Sequence, residues 1–279
     1  MTLKFKCKTG EAYQLKVLAE LLTNNLKTGC FEVCGDSILL RMFDNPRKTL
    51  VDLRLLGENF SVYRYKPVEK FCMGLNLNHF HRMLKSIKKK DSLQLFIDDD
   101  NPNELNIKTI PKENTRITTS GIKIQDIQNL DIEIPTGYEK PVIVPSSEFQ
   151  KMCKDLSSIG SININVKARN FIIEFIADAD GILKRKVSFG ENDEEDYDDE
   201  PFNEYYGTFS TDQLSRITKL AGLSNTMQIF PGNKNLPLLF RSSIGSLGKI
   251  SIYIKSQELV EKEKRNFSSD DSEDSDDDY

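Results

Sequence analysis

Two groups of side chains in this sequence have residue types and a spacing that could support chemistry. The run Asp98-Asp99-Asp100 could bind a metal ion, and His79 and His81 lie two residues apart. Adjacent acids at the end of a strand more often form a solvated turn, and residues two apart on a helix point away from each other. The chain has no phosphate-binding loop, nucleophile elbow or dense Cys/His cluster. We therefore predict that it is not an enzyme and has no metal site and no cofactor.

The cysteines and the N-terminus predict an intracellular protein. The five cysteines are odd in number, and the only close pair, Cys30 and Cys34, has no further ligand at zinc spacing. Reduced and mostly buried thiols are expected. The first ten residues lack the apolar stretch of a signal peptide, and no apolar run approaches 18 residues, so no membrane partner is expected.

The acidic residues are concentrated in two segments. Residues 191–200 hold eight acids and residues 270–279 hold seven, and neither segment has a base. The net charge is −5, so the rest of the chain carries +10. A basic body with acidic appendages favours a polyanionic partner, although bases distributed without a partner are an alternative. Both segments have too few apolar residues to pack, and we predict that 258–279 is a disordered acidic tail.

The hydrophobic pattern predicts an α+β fold with two helices in each half. Apolar stripes with helical periodicity cover residues 12–24, 78–88, a segment that begins at 146 or 147, and 211–221. Short alternating runs between these helices predict antiparallel strands. Composition and length agree with two domains of about equal size.

The two halves of the chain correspond at one offset of 134 residues, which indicates a duplicated domain. Four pairs of segments match without gaps: Leu15–Leu22 with Phe149–Leu156, Phe80–Lys85 with Leu214–Lys219, Leu93–Phe96 with Met227–Phe230, and Ile38–Met42 with Ile172–Ile176. A period this long is not that of a solenoid repeat, which is about 20–50 residues. Chance similarity between amphipathic helices is the alternative.

Basic residues lie opposite the apolar stripes of three of the four predicted helices, with a weaker contribution from the first. No aromatic residue or recognition-helix motif accompanies them, so we expect contacts to nucleic-acid phosphates that do not depend on sequence. The residues predicted to face nucleic acid are Lys16, Arg82, Lys85, Lys88, Lys89, Lys151, Lys154, Arg216 and Lys219.

Four segments of the chain resemble the proliferating cell nuclear antigen family of eukaryotic-type sliding DNA clamps. They are PSSEFQKMCKDLSSIG (Pro145–Gly160), CMGLNLNHFHRMLKSI (Cys72–Ile87), IEIP (Ile132–Pro135) and LGKISIYI (Leu247–Ile254). The similarity extends from about residue 10 to 255. It implies a duplicated clamp (processivity) fold, with helices inside and antiparallel sheets outside. The implied domains are 1–121 and 139–257, joined by a connecting loop at 122–138.

The resemblance also implies a head-to-tail homotrimeric ring around double-stranded DNA. Its subunit contact would join the edge strand Thr115–Lys123 of one copy to Gly181–Ser188 of the next. Such pairing would remove two exposed strand edges. The expected interface residues are Arg116, Ile117, Thr118, Lys123, Leu183, Arg185 and Val187.

A pocket under the connecting loop is the third site that the resemblance implies. It would bind a short motif with apolar and aromatic anchors, carried by DNA polymerase and by other replication and repair proteins. The residues that match the family's pocket are Met42, Leu50, Ile127, Ile132, Pro135, Tyr138, Leu236, Pro237 and Tyr253. About half of the apolar residues of the loop could simply fix it to the sheet. Arg47 stands where a histidine is common, Ser256 where a proline is expected, and Arg169 near the usual ubiquitin-acceptor lysine.

The function implied is that of a processivity factor, opened by a clamp loader and working in the nucleus or at a viral replication site. Two alternatives remain at this stage. One is a processivity factor that holds DNA by charge without encircling it. The other is a checkpoint-type subunit of a mixed clamp, or a scaffold, that binds proteins and not DNA.

Overall fold

The computed structural model describes residues 3–66, 70–113, 116–169, 171–190 and 204–270, with side chains as far as residue 266. The predicted loop 191–200, residue Thr115 and tail residues 271–279 therefore lie outside the described residues. The described chain alternates antiparallel strands with short helices, as the α+β prediction requires.

The first half contains two helices and nine strands among its described residues. The helices are α1 (Ala12–Asn25) and α2 (Leu77–Leu84). The strands are β1 (Leu3–Thr9), β2 (Thr28–Val33), β3 (Ser37–Phe43), β4 (Thr49–Leu56), β5 (Val62–Tyr65), β6 (Phe71–Asn76), β7 (Ser92–Asp98), β8 (Asn101–Ile110) and β9 (Thr118–Lys123).

Among the described residues the second half repeats this order without a counterpart of β5 and adds a helix at its end. Its helices are α3 (Ser146–Ser157), α4 (Thr211–Arg216), which continues into a 3₁₀ turn at Thr218–Gly222, and α5 (Gln257–Asp270). Its strands are β10 (Val142–Pro145), β11 (Asn163–Arg169), β12 (Ile172–Ala179), β13 (Leu183–Phe189), β14 (Tyr205–Ser210), β15 (Thr226–Phe230), β16 (Leu238–Ile244) and β17 (Gly248–Ile254).

One continuous eight-stranded sheet joins the two halves. Its order is β10-β15-β16-β17-β4-β3-β2-β6, and the halves meet where β17 pairs with β4 from Gly248↔Leu55 to Ile254↔Thr49. A five-stranded sheet, β5-β1-β7-β8-β9, belongs to the first half, and a four-stranded sheet, β13-β12-β11-β14, belongs to the second. Every strand pairing among the described residues is antiparallel.

The helices pack against the inner faces of the sheets through the stripes that the sequence predicts. Leu15, Leu18, Ala19 and Leu22 of α1 are buried, and so are their counterparts Phe149, Met152, Cys153 and Leu156 of α3. On the strands, alternate residues such as Val51 and Leu53 of β4 join the same core. The remaining residues of those strands point to the opposite, outer face.

The offset of 134 residues holds for α1 and α3 but is wrong for β3 and β12. Ile38 and Ile173 are the buried, core-facing residues, whereas Leu39 and Ile172 are half-buried. The true offset here is therefore 135. A shift of one residue moves every side chain of a strand to the other face, which is why burial detects the error.

The tail is helical where disorder was predicted. Helix α5 covers residues 257–270, and Ser256 accepts a hydrogen bond from the Leu259 amide (3.2 Å), as an N-cap does. Leu259 is buried, and Glu258 accepts a hydrogen bond from the Thr208 amide of β14 (3.0 Å). These contacts anchor the start of the helix to the domain.

The segment that joins the halves starts two residues later than predicted and ends three residues later. Strand β9 ends at Lys123, so residues 122 and 123 belong to the sheet. The connecting segment therefore runs from Ile124 to Pro141, after which β10 begins at Val142. No helix among the described residues is long and apolar enough to span a membrane.

Candidate nucleic-acid interface and partner-binding hollow

The four central helices form one layer, in the order α2, α1, α4 with its 3₁₀ turn, and α3. The Lys16 ammonium of α1 donates to the Ile87 carbonyl oxygen beyond α2 (2.9 Å). On its other side α1 approaches α4, where the Asn24 side-chain amide donates to the Arg216 carbonyl (3.5 Å). The layer continues to α3, whose Gln150 amide donates to the Thr218 carbonyl (3.4 Å). All predicted DNA-facing bases lie on this layer or at its edge.

Helix α2 presents its bases outward because its apolar side is anchored in the core. Asn76 accepts a hydrogen bond from the His79 amide (3.0 Å) and begins the helix, and Phe80 and Leu84 are buried. Arg82 lies on the exposed side of the same helix. The exposed side continues past the end of the helix through Lys85, Lys88 and Lys89.

Three of the nine predicted bases are already paired with carboxylates. Lys219 contacts Glu20 of α1 (2.7 Å), Lys151 contacts Glu148 (2.7 Å), and Arg216 contacts Asp212. The hydrogen bond to Glu148 also raises the pKa of Lys151. We call Lys151, Arg216 and Lys219 the paired bases.

Five other bases are exposed and have no ion pair among the described residues. Four of them follow one another on and after α2, so the uncompensated positive charge is concentrated in the first half of the chain. Such a surface attracts phosphates, because each unpaired base can replace a bound counterion. The unpaired bases are Arg82, Lys85, Lys88, Lys89 and Lys154.

The connecting segment crosses the outer face of the eight-stranded sheet, on the side away from the helices. It starts at the β6 edge, where the Gln125 amide donates to the Gly74 carbonyl (2.8 Å). It passes β3, where Arg41 donates to the Ile132 carbonyl (2.9 Å). It reaches β16, where the Tyr138 hydroxyl donates to the Pro237 carbonyl (2.7 Å).

A hollow of about 230 Å³ lies beside this segment on the outer face, near the β4–β17 junction. Five predicted pocket residues line it: Leu50, Pro135, Leu236, Pro237 and Tyr253. Ile132 and Tyr138 belong to the adjoining apolar cluster, in which the Tyr138 ring meets Phe230 and Tyr253 edge-on or tilted at 6.1 Å. Burial raises the pKa of the Tyr138 hydroxyl, so it stays protonated and keeps its hydrogen bond.

Two predicted pocket residues are wrong, and one was missed. Met42 packs against the inner core, and its sulfur accepts a hydrogen bond from the Cys30 amide (3.2 Å), because β3 turns Met42 to the helix side. Its neighbour Phe43 points outward and lines the hollow. Ile127 contacts Gly74 on β6, which is three strands from β4, or about 14 Å.

Helix α5 supplies part of the hollow that sequence reasoning did not foresee. Leu259 and Glu263 line it, and Glu263 forms an ion pair with Lys255 (2.6 Å). Lys48 brings positive charge to the rim, whereas the charge of Lys255 is compensated by Glu263. The hollow therefore combines an apolar floor with a partly basic rim, which suits an apolar or aromatic anchor with acidic neighbours.

The predicted interface residues lie on or next to two free strand edges, β9 and β13. Both strands end their sheets, and their exposed apolar side chains include Ile117 (50% exposed) before β9 and Leu183 (51%) on β13. Arg116 and Ile117 precede β9 and are not part of the strand. Arg185 lies 4.0 Å from Asp155 of α3 in the same chain. Thr118, Lys123 and Val187 are on these two strands.

The two free edges lie at opposite ends of the eight-stranded sheet. Strand β9 leads into the bridge between Gln125 and Gly74 at the β6 end, and β13 contacts β10 at the other end. Seven strand spacings separate β6 from β10, which is roughly 34 Å. The edges of one chain therefore cannot pair with each other.

The candidates for catalysis do not form a site. Among the described residues no group of three or more His, Cys, Asp or Glu could hold a metal ion. Asp99 forms an ion pair with Lys66 (3.3 Å), as a carboxylate in a solvated turn does. His79 is exposed.

These features define a class of protein: a duplicated two-domain chain with one layer of helices, a sheet common to both domains and a free strand edge at each end. Models of the N-terminal and C-terminal domains of proliferating cell nuclear antigen match residues 4–134 and 133–257. The chain therefore belongs to the proliferating cell nuclear antigen family.

Two relatives illustrate its place in that family. The chain is 29% identical over 236 residues to proliferating cell nuclear antigen of Chaetomium thermophilum, covering 82% of this chain and 89% of the relative. It is 22% identical over 254 residues to probable DNA polymerase sliding clamp 1 of Paramecium bursaria Chlorella virus 1, covering 90% and 95%.

Proposed function

We propose that the chain is a sliding clamp: copies of it close head to tail into a ring around double-stranded DNA and tether DNA polymerase. The family and the viral sliding clamp among its relatives support this role. The observation that carries the ring is the pair of free edges, β9 and β13, at opposite ends of the chain.

The β4–β17 junction within the chain is a template for the contact between copies. Through the duplication, β17 corresponds to β9 and β4 corresponds to β13, since each pair occupies the same place in its sheets. Transferring the β4–β17 register sets Ile122 opposite Leu183 and Thr118 opposite Val187 of the next copy. A ring so formed would alternate eight-stranded sheets within chains with nine-stranded sheets between chains, and these edges would no longer be exposed. Three copies are expected.

The helix layer would face the DNA, and no chemical step is needed. The unpaired bases would neutralise phosphates through loose contacts, which hold DNA without reading sequence and permit sliding. A polymerase bound to the ring would gain effective concentration at the primer end, because it cannot diffuse away. The chain acts through tethering and not as an enzyme.

The hollow beside the connecting segment would bind the polymerase and other partners. Its apolar floor at Leu50 and Tyr253 suits a short motif with aliphatic and aromatic anchors. Lys48 at the rim favours acidic residues next to those anchors. A clamp loader would open one β9–β13 contact, and the protein would work in the nucleus or at a viral replication site.

The first experiment is molar mass by light scattering over a dilution series. A mass of three chains is expected, and Leu183→Asp should reduce it to one by placing a charge in the paired edge. Ile162→Asp is the matched control, because Ile162 is an exposed apolar residue (81%) on neither edge strand. A single-chain mass at all concentrations would contradict the ring and favour a factor that holds DNA by charge.

The second experiment separates encirclement from electrostatic attachment. A ring should remain on closed circular DNA through a high-salt wash and be lost when the circle is cut, whereas attachment by charge is removed by salt from both forms. Retention of partner peptides without any binding to DNA would instead indicate a scaffold or a subunit of a mixed clamp.

A further inference from the structure

A basic cleft of about 760 Å³ lies at the end of the five-stranded sheet where β9 begins. It is formed by the turn after α2 and by the turn between β8 and β9. Its basic lining residues are Lys88, Lys89, Lys90, Lys112 and Arg116.

The positive charge of this cleft is not compensated within the described residues. None of the five bases has an ion pair there. Asp91 accepts a hydrogen bond from the Lys88 amide (2.9 Å) and is buried, so it stabilises the turn. Glu113 is the other acid in the lining. The cleft thus carries a net charge of +3 and fits an acidic ligand.

The junction inside the chain indicates what meets this cleft. Where β4 ends, the Leu56 amide donates to the Leu247 carbonyl in the turn before β17 (2.9 Å). By the same correspondence, two segments should meet between copies. One is the turn before β9, which lines the cleft, and the other is the chain that follows β13 of the next copy. In the transferred register Arg116 lies opposite Phe189 of the next copy.

We infer that the basic cleft, through Lys90, Lys112 and Arg116, binds the acidic segment 191–200 of the neighbouring copy. That segment begins two residues after Phe189 and holds eight acids and no base. The inference rests on the proposed ring, since the cleft and the end of β13 meet only between copies. The segment would then stabilise each subunit contact through ion pairs.

Charge complementarity is the second argument for this occupant, since the eight acids of 191–200 would neutralise bases at the end of the strand pair where Arg116 lies. DNA phosphates are the other polyanion that could occupy the cleft, and the experiment distinguishes the two.

The test uses the full chain and a carbodiimide, which joins an amine directly to a carboxylate. In a mixture of isotopically light and heavy chains, Lys90 and Lys112 should be joined to 191–200 of the other chain. Amidating all eight acids in the sequence (Asp→Asn, Glu→Gln) should remove these links. It should also raise the concentration at which the ring dissociates by about tenfold at low salt, and by little at high salt.

Matched variants make the charge argument specific. Amidating the seven acids of 270–279 changes the net charge by nearly the same amount and should leave the dissociation concentration unchanged. Lys90→Glu with Lys112→Glu should weaken the ring about as much as amidating 191–200, and combining both changes should give less than the sum.

Four outcomes would overturn the inference. Links formed only within one chain would show that the segment does not reach the neighbouring copy. An intact ring whose dissociation concentration is unchanged after amidation of 191–200 would show the same. Loss of DNA binding by Lys90→Glu with Lys112→Glu, without any change in ring dissociation, would assign the cleft to DNA. A chain that is monomeric at every concentration would overturn the ring as well, so the two failures are distinguishable.

Discussion

Replacing three unpaired bases of the α2 region with alanine should reduce the salt dependence of DNA binding far more than replacing three paired ones. Each base that neutralises a phosphate contributes about −0.9 to the slope of log K against log salt. A short duplex that meets the bases of one copy of the ring contacts five unpaired bases, which give a slope of about −4.5. The triple variant R82A/K85A/K89A should retain about −1.8.

The difference is large enough to measure directly. Between about 50 and 200 mM salt the affinity of the unchanged protein for a short linear duplex should fall by about 500-fold, and that of the triple variant by about 12-fold. Fluorescence anisotropy of a labelled duplex reports both. Light scattering at the same concentrations checks that the ring is intact.

The matched control is K151A/R216A/K219A, which removes the same number of positive charges. Its affinity at one salt concentration falls too, because three carboxylates lose their partners, so the slope is the quantity to compare. The slope should stay close to that of the unchanged protein. If both triple variants lower the slope equally, ion pairing does not decide which bases meet phosphate, and the reasoning fails.

Three further predictions test packing and protonation. Phe43→Ala should weaken binding of a clamp-binding peptide about tenfold in calorimetry. Met42→Ala should instead lower the free energy of unfolding by about 1–2 kcal/mol and leave peptide affinity unchanged. The reverse pattern would show that Met42, and not Phe43, lines the hollow. Gly74→Ala would place a Cβ 2.2 Å from a backbone oxygen of the connecting segment and should speed its proteolysis, unlike Gly10→Ala, where nothing lies within 4 Å. Burial raises the pKa of Cys153 from 9.0 to about 12. The unfolded state therefore loses this proton first, and the free energy of unfolding falls as pH rises through that window. Cys153→Ala should reduce the fall by about 1.4 kcal/mol per pH unit in denaturant titrations, and an unchanged dependence of the free energy of unfolding on pH would contradict this.

The helices could be predicted because their stripes are local signals. Leu15 and Leu22 repeat at Phe149 and Leu156, and all four are buried. A helix with one apolar side has only one way to face a core. The duplicated fold follows from such stripes and from the antiparallel runs between them.

The faces of β3 could not be predicted, because the strand is apolar on both sides. Leu40, Met42 and Phe43 all suit a buried position, and only the packing shows that Phe43 points outward. The ion pair between Lys219 and Glu20 was also beyond reach, since these residues are 199 positions apart. Helix α5 did have a signal: Ser256 is a capping residue, and Leu259, Val260 and Glu263 follow at helical spacing.

The junction of β4 with β17 has a consequence for the history and engineering of the chain. A cut between the halves would leave β4 as an open edge whose Leu50, Leu53 and Leu55 have lost their neighbours on β17. Each half would then expose an unpaired edge strand, so each should aggregate when expressed alone. Mixed together, the separate halves should reassemble through that strand pair, as two fragments of one molecule. Within the chain each copy of the duplicated unit therefore has one edge covered by the other copy, and the covalent link keeps the two copies together.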